Sequence, residues 1–512
     1  SKKAGGNGGK GARLQKRDFR EGRKDEWQTN KTSRLDSTAF EAEKALQKED
    51  GYSGHNHILQ SDVFEEYYKN CKIVPEAEWN EFMAILRTPL PTTFRINGSG
   101  KYAAQVRDKM KTDFFSKFQG ETIELDGETV EKPRPIPWYP DELAWHMNFS
   151  RKQLRTVPIL KEIFEFIKRE NTTGTITRQE TVSMVPPFFL DVKPESTVLD
   201  MCAAPGSKTF QLLEMLHQGS MYNDPSGIVV ANDADAQRCH LLVHQTKRMC
   251  SPCLLVTNHD AQKFPGLKSA KHPNGQGIQF DRILCDVPCS GDGTLRKAPD
   301  LWRRWNHGMG NGLHPLQLQI VEHAARLCKV GGKIVYSTCS LNPIEDEAVV
   351  AELLRRTEGC LELLDPSAEL PELPRCPGIT EWQVKDKNGY YTTFADYEAA
   401  EAKLDEEAEA KFKARREEKI KEAQGKGEAV RMDDNKEYSF QRRKKGQLKS
   451  TMFSGPEVKD MKMDRCMRFL PHHADTGGFF VCVLQKTAQW PPKRAKADER
   501  AAAEAAEGAE AA

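Results

Sequence analysis

Short apolar runs alternate with stretches of helical spacing from about residue 190 onward. The runs are Val198-Leu199, Ile228–Ala231, Leu254–Val256, Ile283–Cys285 and Ile334–Tyr336. Alternation of this kind is typical of a parallel sheet with helices on both faces. A later apolar run, within Thr476–Leu484, predicts an antiparallel strand at the edge of that sheet. The pattern therefore predicts an α/β fold with a mostly parallel sheet.

The residues before this alternation predict a smaller N-terminal module. Helical spacing extends over residues 36–85, where Phe64, Tyr67 and Tyr68 recur as expected for packing rather than for a site. A short strand bounded by prolines follows at residues 89–97, and a helical stretch follows at about 99–119. Residues 36–185 together predict a helical and α+β module.

Charged segments mark the two ends of the chain and one insertion. Residues 1–35 carry eleven Lys and Arg against four Asp and Glu, which predicts a disordered basic arm. Such an arm is either a solvated tail or a segment that binds nucleic acid or directs nuclear import. Residues 396–449 predict a charged helical insertion, and residues 487–512 predict a disordered tail rich in Ala and Glu. The remaining residues, 186–395 and 450–486, form the predicted main domain.

Hydropathy and cysteine spacing disfavour several classes of protein. No run of 18 apolar residues occurs, so we expect no membrane-spanning segment and no membrane partner. The thirteen cysteines are scattered and odd in number, which favours a reducing cytosol or nucleus over a disulfide framework. Cys250-x-x-Cys253 lacks a second Cys or His pair at finger spacing, so we expect two buried thiols and no metal.

The loop after the first predicted strand of the main domain has the features of a ligand site. It reads Asp200-Met-Cys-Ala-Ala-Pro-Gly-Ser-Lys-Thr209 and leads into a predicted helix. Ligands of open parallel sheets bind at the carboxyl ends of the strands. Gly206 permits a close approach of the backbone, and the start of a helix offers unpaired N–H groups. The spacing matches neither the Gly-x-Gly-x-x-Gly nor the Walker pattern, and an ordinary strand-to-helix turn is the alternative.

Acidic residues follow four predicted strands in succession, at Asp200, Asp233, Asp260 and Asp286. A carboxylate at Asp233 can accept two hydrogen bonds from ribose hydroxyls, and Asp260 is placed to accept from an adenine amino group. One such Asp alone is usually a helix cap or a solvated charge. Four in succession are hard to assign to chance. The pattern indicates a Rossmann-like methyltransferase that uses S-adenosylmethionine (SAM).

Two cysteines, Cys289 and Cys339, follow the ends of the next two strands and should lie on the same rim. Carbon 5 of cytosine is a poor nucleophile until a thiolate attacks carbon 6 and converts the ring into an enamine. Methylation of an exocyclic amine needs no thiol and is typical of an Asp/Asn-Pro-Pro-aromatic segment, whereas this chain reads Asp286-Val-Pro-Cys. A lone cysteine is usually a small buried residue. Two cysteines beside an Asp and the ligand loop favour covalent catalysis, without saying which thiol attacks.

At these residues the chain resembles the Sun-domain (NSUN) family of RNA cytosine-C5 methyltransferases. The resemblance covers roughly residues 50–395 and 450–486. Its motifs are at Arg178–Pro187, Asp200–Thr209, Asp286–Thr294, Ser337–Glu347 and Leu470–Val481. The Tyr336–Glu347 run and the Pro-His-His ending are most similar to the eukaryotic tRNA methyltransferase branch. The charged insertion departs from the family pattern, so its role stays open.

The resemblance implies a role for each cysteine. DNA cytosine methyltransferases use the cysteine of a Pro-Cys pair as the nucleophile, whereas in the resembled family the Thr-Cys cysteine attacks carbon 6. This makes Cys339 the nucleophile and Cys289 the thiol that assists release of the product. Asp286 is also expected near the N3 edge of the cytosine. The resemblance implies that SAM is lined by Cys202, Ala203, Ala204, Pro205, Gly206, Ser207, Lys208, Asp233, Asp260 and Asp286.

The implied substrate is RNA, with tRNA expected first. The target base must leave a stacked helix before a thiol can reach carbon 6. The basic arm, the N-terminal module and Arg442–Lys445 are candidate phosphate contacts. We expect a nuclear, nucleolar location, with the cytoplasm as the alternative. The competing functions are the same chemistry on rRNA or mRNA, a non-catalytic RNA-binding scaffold, and a SAM enzyme that acts on protein. The presence of both cysteines disfavours the last two.

Overall fold

The computed structural model describes residues 58–118, 120, 122–125, 128–150, 153–218, 225–268, 277–425 and 448–490. The elements described below belong to a unit that begins at Leu59. The predicted basic arm lies outside the described residues. So do residues 426–447 of the predicted insertion and residues 491–512 of the predicted tail.

Among the described residues, the helices are α1 (Asp62–Cys71), α2 (Trp79–Leu86), α3 (Ala103–Lys109), α4 (Gln153–Thr156), α5 (Pro158–Thr173), α6 (Val185–Leu190), α7 (Ser207–Leu216), α8 (Ala236–Thr246), α9 (Leu301–Arg304), α10 (His307–Leu327), α11 (Glu347–Thr357), α12 (Phe394–Gly425) and α13 (Pro471–Ala474). The strands are β1 (Thr92–Ile96), β2 (Thr122–Leu125), β3 (Glu128–Glu131), β4 (Arg134–Pro135), β5 (Ala144–Met147), β6 (Ile176–Arg178), β7 (Thr197–Asp200), β8 (Ile228–Asn232), β9 (Leu254–Thr257), β10 (Leu267–Lys268), β11 (Gly277–Ile278), β12 (Phe280–Asp286), β13 (Cys328–Thr338), β14 (Leu361–Leu363), β15 (Cys376–Pro377), β16 (Val384–Lys385), β17 (Tyr390–Tyr391), β18 (Met467–Phe469) and β19 (Phe479–Lys486).

The central sheet has the order β15-β18-β19-β13-β12-β7-β8-β9, and β14 also pairs with β19. Strands β13, β12, β7, β8 and β9 are parallel, and they contain the five apolar runs that the sequence predicts. The α/β fold with a mostly parallel sheet is therefore confirmed.

The late strand β19 is antiparallel to β13, as predicted, but it does not form the edge of the sheet. Strands β18 and β14 both pair with it on the side away from β13. Seven of its eight residues are buried, which suits a strand with neighbours on both sides. The prediction of an edge strand was wrong because alternation along one strand does not reveal how many strands pair beyond it.

The two faces of the sheet carry separate cores. Side chains alternate across a strand, so Ile283 and Cys285 join one core while Leu284, between them, joins the other. The first core is covered by α10 and α11, and the second by α6 and α7. Helices therefore pack on both faces, and the carboxyl ends of the parallel strands are left free for a site.

The predicted N-terminal module divides between two cores. Strands β4, β5, β1 and β6 form a sheet of their own, and α5 packs on it through Leu160 and Ile163. Helices α1 and α2 instead pack against Trp302 and Leu341, which belong to the main domain. The N-terminal helices are thus part of the same core as a loop of the predicted active site.

The predicted insertion begins with a helix that is anchored at one end. Helix α12 starts at Phe394, whose ring lies 5.6 Å from that of Phe453, and Tyr397 is buried. At the other end of the domain, Trp490 packs on the main core beyond the strand that ends at Lys486.

Among the described residues, no helix combines the length and apolar character that crossing a membrane requires.

Candidate active site

The loop between β7 and α7 needs a glycine where the sequence has one. Gly206 has a φ of +108°, and a Cβ atom there would lie 2.8 Å from Cδ1 of Leu242. A side chain at this position would therefore be strained and would also clash with α8. No side chain caps the N-terminus of α7. The loop combines close packing with helix N–H groups that can face a ligand.

Two carboxylates flank this loop. Asp233 is buried and accepts hydrogen bonds from the backbone N–H of Ala204, at 3.1 Å, and of Asp235, at 3.0 Å. Asp200 accepts one from Thr209 at 2.7 Å, while its other carboxyl oxygen is buried without a partner. Burial raises the pKa of Asp200 to about 7. Asp260, beyond β9, keeps 56% of its side chain exposed.

These features fit SAM. An unpartnered buried carboxyl oxygen, a loop that excludes a Cβ and an uncapped helix suit a ligand that presents hydroxyl and amino donors. Asp200, Asp233 and the loop backbone are the groups that would hold it.

Lys208 turns from the loop toward the cysteines. Its Nζ atom lies 2.8 Å from Asp286, whose second carboxyl oxygen accepts from Ser337 at 2.8 Å. The same Nζ lies 5.2 Å above the ring of Phe479. Burial alone would lower the pKa of Lys208, but the ion pair with Asp286 outweighs it and raises the pKa. The pair therefore keeps a fixed positive charge at the boundary between the loop and the two thiols.

Cys289 and Cys339 meet at this boundary. Both are half-buried, and their Sγ atoms are 3.1 Å apart. The hydrogen bond with Cys339, together with burial, raises the pKa of Cys289 well above its usual value. Two thiols in contact beside an ion pair can divide the making and the breaking of one covalent bond.

The loops that carry the two cysteines lie directly against each other. The N–H of Gly293 donates to the carbonyl of Cys339 at 3.0 Å, and the N–H of Gly478 donates to the carbonyl of Gly293 at 2.7 Å. A Cβ atom on Gly293 would lie 2.2 Å from the carbonyl oxygen of Gly478. The contact between these backbones thus requires glycine.

Comparison with known proteins identifies the family. Residues 187–369 match the family model described as 16S rRNA methyltransferase RsmB/F. The chain is 32% identical over 327 residues to the tRNA (cytosine(49)-C(5))-methyltransferase of Pyrococcus abyssi and covers 89% of that protein. The chain belongs to the RsmB/F methyltransferase family. Methyltransferases of this family use SAM.

Longer eukaryotic relatives match most of the chain. The multisite-specific tRNA:(cytosine-C(5))-methyltransferase of Saccharomyces cerevisiae is 42% identical over 433 residues, which are 84% of this chain and 56% of that protein. The tRNA (cytosine(34)-C(5))-methyltransferase of Drosophila melanogaster is 41% identical over 436 residues, with 83% and 53% covered. The chain thus spans just over half the length of these two relatives.

The solved structure of NSun6 from Pyrococcus horikoshii with SFG, a SAM analogue, shares the fold with a TM-score of 0.51 and 18% identity, and the match covers 84% of this chain and 99% of that one.

This RsmB/F family member also uses residues that the sequence did not mark as functional. Asp292 is fully buried and accepts from the hydroxyl of Tyr68, from the indole N–H of Trp305 and from the N–H of Leu341. The hydroxyl of Tyr67 donates to Asn342 at 2.8 Å. The two tyrosines do pack, as expected, but they also reach both cysteine loops. The only sign of this second role in the sequence was the pair of adjacent tyrosines, Tyr67 and Tyr68, on a helix whose aromatic residues were assigned to packing.

The structure bears on two further expectations, which are the burial of Cys250 and Cys253 and the absence of a metal. Cys250 is exposed and Cys253 is buried, so the prediction of two buried thiols was wrong for Cys250. Cys250 ends a helical turn in the left-handed region, with a φ of 53°, which directs it away from the core. Glu78, His472 and His473 bring potential metal-ligating atoms within 4.8 Å of one another. The expected absence of a metal stays a prediction.

Proposed function

We propose that the chain forms 5-methylcytosine in RNA, with tRNA as the substrate, by covalent catalysis with SAM. The observation that carries the proposal is the contact between Cys289 and Cys339, 3.1 Å apart, beside the Lys208–Asp286 ion pair. Methylation of an amine or a hydroxyl has no use for two thiols in contact. The similarity to tRNA cytosine-C5 methyltransferases of Saccharomyces cerevisiae, Drosophila melanogaster and Pyrococcus abyssi supports the same chemistry and substrate.

The two thiols have different tasks in this proposal. Cys339 attacks carbon 6 of the cytosine and forms the covalent bond, which makes carbon 5 nucleophilic. After transfer of the methyl group, a base removes the carbon 5 proton, the bond between carbon 6 and sulfur breaks, and Cys339 leaves as the thiolate. Cys289, 3.1 Å away, assists this release. The resemblance to the Sun-domain family favours Cys339 over the alternative assignment, in which the Pro-Cys cysteine, Cys289, is the nucleophile.

The ion pair supports both steps. Lys208 is held by Asp286, and its positive charge favours a thiolate nearby. We also assign Asp286 to the N3 edge of the flipped cytosine, as the resemblance implies. SAM supplies the methyl group when bound. We assign its binding to Asp200, the loop Cys202–Lys208, Asp233, Asp260 and Asp286, with Lys208 and Asp286 shared between the two parts of the site.

Covalent trapping on a tRNA transcript tests the proposal. Cys339→Ala should abolish methylation and form no adduct, because no nucleophile remains to activate carbon 5. Cys289→Ala should attack and methylate once and then stall, leaving a protein–RNA complex that survives denaturation. Denaturing gel electrophoresis with labelled RNA and SAM separates these cases.

Each other outcome has a definite meaning. An adduct with Cys339→Ala but not with Cys289→Ala would reverse the two roles. Full activity in both variants would refute covalent catalysis. Cys250→Ala is the matched control, because this exposed cysteine lies outside the proposed site and its loss should change neither adduct nor turnover. Transcripts of rRNA and mRNA in the same assay test the choice of tRNA.

A further inference from the structure

A buried carboxylate lies between the two cysteine loops and has no part in the chemistry above. Glu345 precedes α11 and has no exposed surface. One of its carboxyl oxygens accepts from the backbone N–H of Ser290, at 2.8 Å, and from Gln317, at 3.0 Å. The other accepts from the hydroxyls of Ser290 and Ser340, the latter at 3.0 Å. The four donors therefore come from Ser290 and Ser340, which lie on the two cysteine loops, and from Gln317 of α10.

The donors to Glu345 are next to the two cysteines in the chain or contact a residue that is. Ser290 directly follows Cys289, and Ser340 directly follows Cys339. Gln317, from α10, also donates to the carbonyl of Pro288 at 3.0 Å, the residue before Cys289. One carboxyl group thus fixes the chain on both sides of one cysteine and immediately after the other.

We propose that Glu345 is a positioning residue that sets the spacing of Cys289 and Cys339. The serine hydroxyls that share one of its oxygens belong to different loops, and those loops carry the two Sγ atoms at 3.1 Å. The catalytic consequence rests on the proposed function, but the spacing itself does not. Neither the family comparison nor the sequence motifs assign a task to this side chain.

A simpler role does not account for these contacts. Acidic residues just before a helix commonly accept hydrogen bonds from its first N–H groups and stabilise its N-terminus. The next two residues, Asp346 and Glu347, contact the buried guanidinium of Arg468 instead. The four donors to Glu345 all lie outside α11. Its side chain therefore serves the loops rather than the helix that it precedes.

The same contacts predict which substitution preserves the spacing. Burial and the nearby Asp292 raise the pKa of Glu345 to about 7, so a neutral side chain is tolerated there. In Glu345→Gln the amide oxygen can accept from the N–H of Ser290 and from Gln317. The amide N–H₂ can donate to the two serine hydroxyls, which rotate to accept. Glu345→Ala leaves these donors unpaired and opens a cavity between the loops.

Disulfide trapping measures the spacing without RNA or SAM. A mild thiol oxidant such as diamide converts two thiols into a disulfide only when their geometry permits, so the rate reports the Cys289–Cys339 distance. Mass spectrometry of digested protein follows this one pair among the thirteen cysteines. We expect Glu345→Ala to slow the reaction about tenfold or more, because a misplacement of about 1 Å has effects of that size. Glu345→Gln should remain within about threefold of the wild type by the same reasoning.

The matched control is another buried carboxylate. Glu214 accepts hydrogen bonds from Arg95 and from the N–H of Gly98, neither of which belongs to a cysteine loop. Glu214→Ala should lower thermal stability while leaving the trapping rate unchanged. A wild-type trapping rate in folded Glu345→Ala, or an equal loss in Glu214→Ala, would overturn the proposal.

Milder variants decide the case if Glu345→Ala does not fold. Ser290→Ala and Ser340→Ala each remove one hydroxyl contact, and each should slow trapping by a smaller factor. Wild-type rates in both variants would refute the positioning role. A separate assay follows the RNA adduct. If the wild type and Cys289→Ala never form an adduct, the proposed function fails, while the trapping result still decides the role of Glu345.

Discussion

The cofactor half and the cysteine half of the site stand on the same rim but are built by different means. The cofactor half comes from a single stretch of chain, from the loop at Asp200 to Asp260 beyond β9. The cysteine half joins the loops after β12 and β13 to Tyr68, 224 residues before its partner Asp292, and to Gly478 just before β19. Cofactor binding is therefore local in the sequence, whereas the chemistry depends on both ends of the fold.

The two halves differ in what their buried groups contact. Asp200 and Asp233 are buried around the cofactor loop, while Asp292 and Glu345 are buried against the cysteine loops. Charges and hydrogen bonds act more strongly where water is excluded. Because the cofactor half is proposed to bind SAM and the cysteine half to react with the base, we expect substitutions in the cysteine half to change rates and substitutions in the cofactor half to change the affinity for SAM.

The largest effect is expected at Asp286, where the halves meet. Asp286→Asn keeps the shape of the side chain but removes the charge that holds Lys208. We expect kcat to fall about 100-fold or more, the usual size of a lost acid–base group. The affinity for SAM should change by less than about threefold, which is roughly half of the 1.4 kcal/mol of a tenfold change. Single-turnover rates at saturating RNA and calorimetry of SAM binding measure the two quantities. A loss of affinity equal to the loss of rate would assign Asp286 to the cofactor half.

A smaller effect of the opposite kind is expected at Asp233. Asp233→Ala removes a buried carboxylate that holds the N–H of Ala204 and faces the proposed ribose site. SAM binding should weaken by about 1–3 kcal/mol, while the rate at saturating SAM is retained. Calorimetry checks the affinity, and Asp260→Ala is the exposed comparison that should lose less. Unchanged affinity in Asp233→Ala would remove that residue from the site.

The smallest effect is expected at Tyr68. Tyr68→Phe removes one donor to the buried Asp292, which keeps Trp305 and the N–H of Leu341. The free energy of unfolding should fall by about 1–2 kcal/mol, with slower turnover and unchanged affinity for SAM. Urea denaturation and steady-state assays check both. Tyr102→Phe is the control, because Tyr102 is 61% exposed and its substitution should change neither quantity. A loss of SAM affinity in Tyr68→Phe would mean that the halves are not separate.

The sequence predicted the features of the molecule that depend on residues close together in the chain. The five parallel strands, the glycine at position 206 and the acidic strand ends each follow from a pattern of a few residues. The two cysteines were expected on one rim because the carboxyl ends of parallel strands share one edge. The structure adds their direct contact, at 3.1 Å.

The sequence did not predict the contacts that span the chain. No local pattern marks Glu345, Asp346 and Glu347 as buried, yet none of the three has any exposed surface. Their partners, such as Ser290 and Arg468, are 55 and more than 120 residues away. Only the paired register of β12, β13 and β19 brings these residues together, and no local spacing records that register.

The position of β19 inside the sheet affects when the site can form during synthesis. Leu341 accepts a hydrogen bond from Arg468, and Gly293 accepts one from Gly478. These contacts can form only after residues 468–486 have left the ribosome, because domains fold as their last elements emerge. A nascent chain that already contains both cysteines and the complete cofactor loop therefore lacks some of the hydrogen bonds that hold its cysteine half. The order of synthesis delays the chemistry until the strand that completes the sheet is available.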